Sequence, residues 1–317
     1  MFVKLDRDVI DILCCPLCKS SIEFQNSEFL CRNCLTLYPR ITINQKNGRE
    51  YVFDFRIERP DYCIPPGWAK WHIMQNIYED VQDSTSCVDN LNFYLQEING
   101  VRDIYTKQFE IKGTVLDVGG HQGRLRHFLK ESVSMYVSID PFPDVFRDVD
   151  SQKNLLKAYP CILEACNFLA GFAENLPFVE KSFDWVHMRS VLDHFYDPLV
   201  AIKEAYRVLK PGGRILVGLS VKGEKDLPNG NVKSGLGFRP YVLLSRFVNK
   251  LKREGAKGFK KAVASRVKTF GRDHIWHWSY ENLLDLFDKT NFVIEKEYWQ
   301  NSDPVAPICI YVSARKT

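Results

Sequence analysis

Nowhere in the 317 residues is there an uninterrupted apolar run near the roughly 18 residues that a membrane-spanning helix needs. The opening stretch, MFVKLDRDVIDIL, mixes acids and bases with apolar residues. It therefore has neither the basic and apolar regions of a signal peptide nor an arginine-rich transit pattern. Charge is sparse too: the formal net charge is +4, too mild to mark the whole chain as a nucleic-acid binder. Internal repeats and low-complexity tracts are missing. A cytoplasmic globular protein of one large or two smaller domains is expected. In that compartment its ten cysteines read as metal ligands, core residues or reactive thiols before disulfides.

Four of those cysteines have the spacing of a metal site. Residues 14–34, CCPLCKSSIEFQNSEFLCRNC, contain Cys15-x-x-Cys18 and Cys31-x-x-Cys34, separated by twelve residues. Each pair makes a turn whose sulfurs aim at one centre, and two such turns supply the four soft ligands of a closed tetrahedral zinc site. With no open coordination position, the zinc is expected to be structural. Between the pairs, SSIEFQNSEFL alternates like a small hairpin and is too short to build a core unaided, so metal would supply the missing folding free energy. A pair of disulfides or a redox-active C-x-x-C are the competing readings. Cys14 is an alternative ligand, although Pro16 suits a knuckle built on Cys15. On CPLC, CRNC and the following LYPRI, about the first 55 residues resemble the zinc-ribbon family typified by the activator subunit of tRNA and protein methyltransferases. The next segment, TINQKNGREYVF, departs from the glycine-rich stretch of many relatives.

ERPDYCIPPGWAKW, with Pro60, Pro65, Pro66 and Gly67, reads as a linker. Residues 68–110 show helical spacing, with Leu91, Tyr94, Leu95 and Ile98 on one face. The expected organisation is a ribbon at 1–58, linker and docking helices at 59–110, and a larger domain at 111–317. From about residue 113, the β-rich runs TVLDV, MYVSID, FDWVHMRSV and RILVGLS alternate with helical ones. Such alternation implies an α/β fold, a largely parallel sheet with helices on both faces, which binds ligands at the carboxyl ends of its strands.

One such end is VLDVGGHQGRL, residues 115–125. Glycines there let a backbone approach a ligand closely. The dinucleotide fingerprint needs three glycines, but its positions hold Gly119, His121 and Arg124, which disfavours NAD or FAD. Asp140, 21 residues after Gly119, stands where a carboxylate accepts from ribose hydroxyls. The remaining reading is a nucleoside without a pyrophosphate.

On these residues, and on GFAENLPFVEKSFD (171–184), SVLDHFYDP (190–198) and LKPGGRILV (209–217), the chain resembles class I S-adenosylmethionine-dependent methyltransferases. The resemblance implies a Rossmann-like sheet and S-adenosylmethionine as cofactor. It places Asp117, Gly119, Gly120, His121, Gly123, Asp140, Phe172, Ala173 and Arg189 around that cofactor, with Phe172 and Ala173 against the adenine. His121 replaces the middle glycine of the family's first motif, and Phe172 stands where an acid is frequent. The LPF, SFD, VLxH and LKPGG pattern is that of the branch acting on metabolites, quinones and sugars.

Methyl transfer to a hydroxyl needs a base, and histidine titrates in the useful range. His194, after the fourth strand of the fold, is one candidate base; His274 and His277, before a helix capped by Ser279, are the others. Trp276 and Trp278 suit the wall of an apolar acceptor pocket or the core. The insertion at 221–273 carries fourteen bases and four acids over a helix-like apolar stripe. It reads as a solvated face, or as a cap over an anionic or lipid-linked acceptor at a membrane surface, or as a grip on RNA. The leading expectation is O-methylation of a small-molecule or glycan acceptor. An RNA methyltransferase is the first alternative, although no Asn-Pro-Pro-Tyr-type motif is present. A non-catalytic partner protein that retains the fold is the second.

Overall fold

A computed structural model describes residues 1–57, 89–129, 131–221, 276, 278–300 and 308–317. The expected linker and the basic insertion from residue 222 onward lie outside the described residues.

The strands are β1 (Val3–Lys4), β2 (Ile22–Gln25), β3 (Glu28–Cys31), β4 (Leu37–Tyr38), β5 (Arg40–Gln45), β6 (Gly48–Asp54), β7 (Gly113–Val118), β8 (Val133–Asp140), β9 (Cys166–Ala170), β10 (Phe183–Arg189), β11 (Leu209–Val221), β12 (Phe292–Gln300) and β13 (Ile308–Lys316). The helices used below are α1 (Arg7–Ile10), α2 (Leu91–Asp103), α3 (Lys153–Ala158), α4 (Pro198–Val208) and α5 (Tyr280–Asp288). The main sheet runs β12-β13-β11-β10-β7-β8-β9-β6-β5. Its centre, β11-β10-β7-β8-β9, is parallel, and β13 enters antiparallel to both neighbours. The central strands are largely buried because both faces are covered; all five residues of β9 are buried. Asp197 caps α4 by accepting from the Val200 amide at 3.1 Å, ahead of Pro198 at the first helical position. From there α4 turns Ala201, Ile202, Ala205 and Val208 inward. Ser279 caps α5 as the sequence suggests.

Chain order steps from β7 through β8 to β9 on one side, then returns to β10 and β11 on the other. The switch point lies between β7 and β10, and sheets of this kind bind ligands above the carboxyl ends at such a point. This is a mixed α/β, Rossmann-like architecture.

The sequence suggests a ribbon of its own at 1–58, but its backbone joins the main sheet. β1 and β6 both pair in parallel with β9, Val3 opposite Cys166 and Phe53 opposite Leu169, and β5 completes the edge. Only β2, β3 and β4 form a separate sheet. The β2–β3 hairpin turns on Asn26 and Ser27, at φ of 49° and 68°. Both central residues have positive φ, as tight hairpins of matching twist require. Phe29, Tyr38, Phe53 and Phe55 pack ring against ring, Tyr38 stacked on Phe55 at 4.9 Å, and join this small sheet to the main core.

Candidate functional site

The turn after β7 is shaped by close approach. Gly119 has φ of 69°, and a Cβ there would stand 2.3 Å from Val191 Cγ1. A Cβ on Gly120 would meet Asp117 Oδ2 and Ser138 Oγ, each at 2.6 Å. His121 occupies the left-handed region at φ 48°, which costs an L-residue roughly 1 kcal/mol. This explains why a glycine suits that position. The His121 amide donates to Asp140 Oδ2 at 3.3 Å, and its carbonyl accepts from Ser138 Oγ at 3.0 Å. Burial lowers the pKa of the imidazole. Gly123 closes the turn, its amide donating to the Gly120 carbonyl at 2.9 Å.

Asp140 ends β8, the strand adjacent to β7 in the sheet. It is buried, and its Oδ1 accepts from the Phe142 amide at 2.9 Å. Burial raises its pKa, against the pull of His121 and the two amides. Phe172 and Ala173, just beyond β9, are also buried. Glu174 follows them and holds the loop after β10: its Oε1 accepts from the amides of Tyr196 at 2.8 Å and Asp197 at 3.2 Å. Burial pushes its pKa up to about 7.

Arg189 ends β10. Its Nη1 lies 3.8 Å from Glu97 of α2, and its Nε donates to the Tyr311 hydroxyl at 3.2 Å. Glu97 also meets Arg124 at 3.3 Å, so one carboxylate on α2 joins two arginines over the carboxyl ends of the sheet. Asp117 does not stand open to solvent. Its Oδ1 is 2.6 Å from His187 Nδ1, its Oδ2 accepts from the Tyr136 hydroxyl, and His187 Nε2 is 2.8 Å from the Tyr105 hydroxyl. All four residues are buried.

His194 lies in the loop after β10, its amide donating to Val191 O at 2.9 Å and its Nε2 3.9 Å from Asp193 Oδ1. Trp276 docks on the same loop: its indole donates to Phe195 O at 2.7 Å, and the side chain remains 40% exposed. Trp278 is half-buried against the main core. The other two candidate bases, His274 and His277, lie outside the described residues.

The four cysteines of the paired motifs converge: the sulfurs of Cys15, Cys18, Cys31 and Cys34 all lie within 4.8 Å of one another. Tyr38 Oη is 3.0 Å from Cys15 Sγ, and Thr36 Oγ1 is 3.1 Å from Cys34 Sγ. Cys14 is buried but is not one of this group.

The sequence reading does not single out Glu97, Tyr105, Tyr136, Glu174 or His187. His187 does leave a signal, a histidine between the apolar Val186 and Met188 of a strand, where a buried polar ring requires partners. Tyr105 leaves none, because its role depends on how α2 docks.

Residues 116–217 match a family model described as "Methyltransferase domain". An uncharacterized methyltransferase of Mycobacterium bovis is 33% identical over 111 residues, 35% of this chain and 41% of that protein. A demethylmenaquinone methyltransferase of Paenarthrobacter aurescens is 36% identical over 83 residues, 25% of this chain and 33% of that protein. The matched segments thus span less than half the length of these curated relatives. Among solved structures, the complex of the Haloferax volcanii Trm112 methyltransferase activator with a methyltransferase is 12% identical, with a TM-score of 0.46, covering 75% of this chain and 97% of that one. Over residues 116–217, then, the chain is similar to a methyltransferase domain, and its sequence relatives over comparable stretches include methyltransferases.

Proposed function

We propose that the protein transfers a methyl group from S-adenosylmethionine to an oxygen of a small-molecule or glycan acceptor, and that a structural zinc ion holds its ribbon together. The observation that carries the reading is the turn above the switch point: Gly119 and Gly120 leave no room for a Cβ, and the next amide, that of His121, donates to Asp140 at 3.3 Å. The donor set fits a nucleoside carrying an amino acid.

When bound, S-adenosylmethionine supplies a methyl group on a sulfonium, ready for direct displacement. The chain binds and aligns. Asp140 accepts from the ribose hydroxyls, and Phe172 and Ala173 wall the base. Arg189 and Glu97 present opposite charges to the amino-acid end. His194 takes the proton from the acceptor hydroxyl, beside the indole of Trp276, which keeps water from one side. These roles require only orientation and one proton transfer, the contributions a protein makes to such a displacement. The four cysteine sulfurs suit one tetrahedral zinc with bonds of about 2.3 Å. A sulfur-only closed shell makes that metal structural.

Incubation with methyl-labelled S-adenosylmethionine and separated small-molecule, glycolipid, RNA and protein fractions tests the proposal. Label in the small-molecule or glycolipid fraction supports it. Label confined to RNA replaces the acceptor, and no binding of the cofactor ends the reading.

A further inference from the structure

The chain Tyr136–Asp117–His187–Tyr105 can be assigned hydrogen by hydrogen. The Tyr105 hydroxyl is buried, and among the described residues its hydrogen-bond partner is His187 Nε2 at 2.8 Å. A buried hydroxyl donates its proton where an acceptor is present, so Nε2 is the bare nitrogen of the ring. Nδ1 then carries the hydrogen and donates it to Asp117 Oδ1 at 2.6 Å. The Tyr136 hydroxyl donates to Oδ2. Three hydrogens meet three acceptors, and an added proton on Asp117 would have no acceptor in the chain. The imidazole is therefore neutral and the carboxylate ionised: the network buries one uncompensated negative charge.

That charge lies directly under the glycine turn, since a Cβ on Gly120 would come within 2.6 Å of Asp117 Oδ2. No nearby cation pairs with it among the described residues: Arg126, 5.9 Å from the Tyr136 ring centroid, donates to the carbonyls of Gly123, Glu164 and Gln122. Arg189 and Arg124 both face Glu97, at 3.8 Å and 3.3 Å. Tyr105 is set by its own surroundings, with its ring 5.2 Å from Phe128 and 5.5 Å from His187.

We infer that His187 and Tyr105 are positioning residues that keep His187 neutral and Asp117 charged, and so make this site prefer a cationic sulfonium cofactor over its neutral thioether product. The inference rests on the proposed cofactor. It gives the network a role in turnover: the charge that draws the donor in stops attracting it once the methyl group has left.

The test is isothermal titration of the full chain with S-adenosylmethionine and with S-adenosylhomocysteine, read as the ratio of their dissociation constants. Asp117→Asn is expected to cut the preference for the cation on the order of tenfold. Tyr105→Phe removes one hydroxyl and little volume. It removes the donor that holds Nε2 bare, so the ring no longer keeps a hydrogen fixed on Nδ1 against the carboxylate, and the ratio shifts the same way. Tyr105→Phe also serves if Asp117→Asn fails to fold. A purely structural network would weaken both ligands equally and lower the melting temperature, and an unchanged ratio in Tyr105→Phe overturns the inference. A wild-type chain that binds neither ligand ends the cofactor reading itself, a different result from binding with an unchanged ratio.

Discussion

The Cys14 amide donates to the Pro177 carbonyl at 3.0 Å, which ties the ribbon's first knuckle to the loop expected against the cofactor. Val179 donates back to Ile12 O at 2.9 Å, so two strands of backbone grip each other across this seam. Lys19, five residues after Cys14, reaches Leu176 O at 3.3 Å and Glu204 at 2.7 Å. On the other side of the loop, Phe55 donates to Ala170 O at 2.7 Å and Arg56 to Pro141 O at 3.2 Å. Residues 170–179 and Pro141 are thus held from both flanks by the N-terminal segment. A zinc ion held by the four cysteines would contribute about 10 kcal/mol or more, as structural zinc does in such small modules, and its loss would unfold the knuckle. Chelation, or Cys31→Ser, is expected to lower the melting temperature by several degrees and to weaken cofactor binding in parallel. Cys161→Ser, outside the cluster, changes neither. Full cofactor affinity in zinc-free, folded protein contradicts this coupling.

Gly120→Ala isolates the cradle. The new methyl would overlap Asp117 Oδ2 and Ser138 Oγ, both 2.6 Å from the ideal Cβ position and both fixed by hydrogen bonds. Overpacking of this kind costs about 1–3 kcal/mol, and the turn shifts toward the crevice to relieve it. Calorimetry should show cofactor binding lost or weakened by at least an order of magnitude, with a melting temperature only a few degrees lower. Wild-type affinity in this variant is incompatible with a ligand seated on the turn.

What the sequence reveals follows from how local each feature is. The parallel core is legible because its strands are apolar runs between helical stretches, and the cysteine cluster because four sulfurs at that spacing have few other uses. The β2–β3 hairpin shows as a two-residue alternation. Fusion of the ribbon with β9 does not show: it is backbone pairing between residues more than a hundred positions apart, with no side-chain signature. The stripe on α2 is half right. Tyr94, Ile98 and Val101 are buried, but Leu95, about 100° around the helix from Tyr94, stays 42% exposed. The stretch after the glycine turn, GRLRHFLKES, is one of the expected helical runs; among its described residues Arg124–His127 wind, as a 3-10 turn. Arg124 there is drawn to Glu97 and over the rings of Tyr94 and Tyr159. At the site, glycines and acids are visible as a motif, whereas Glu97, Tyr105 and His187 depend on tertiary docking.

Glu174 gives stability a pH dependence of unusual sign. Its pKa rises from 4.5 to about 7 because burial disfavours the carboxylate, against the Asp197 and Tyr196 amides that favour it. The folded state therefore binds a proton that the unfolded chain has already released. The contribution is complete below about pH 4.5 and is lost as pH rises through about 7, amounting to roughly 3 kcal/mol at most. Glu174→Gln keeps a carbonyl oxygen to accept from both amides and removes the titration. Denaturant midpoints measured from pH 5 to 8 should fall less steeply in the variant than in the wild type; identical slopes would place the raised pKa elsewhere.

His194→Ala separates proton transfer from binding. The imidazole lies on the loop after β10, 3.9 Å from Asp193 Oδ1, while the cofactor cradle is built on Gly119, Gly120 and Asp140. The loop itself is fixed by other bonds, Glu174 to Tyr196 and Trp276 to Phe195, which the substitution leaves in place. General-base removal costs about 10²–10⁴ in rate. With a hydroxyl acceptor in hand, kcat is expected to fall within that range while the cofactor dissociation constant stays within about twofold. The decisive comparison is the pH profile. In the wild type, kcat rises with pH as the base loses its proton; in the variant, that limb disappears. A variant whose kcat falls but whose profile keeps the limb assigns the proton to another residue, with His274 and His277 the next to substitute.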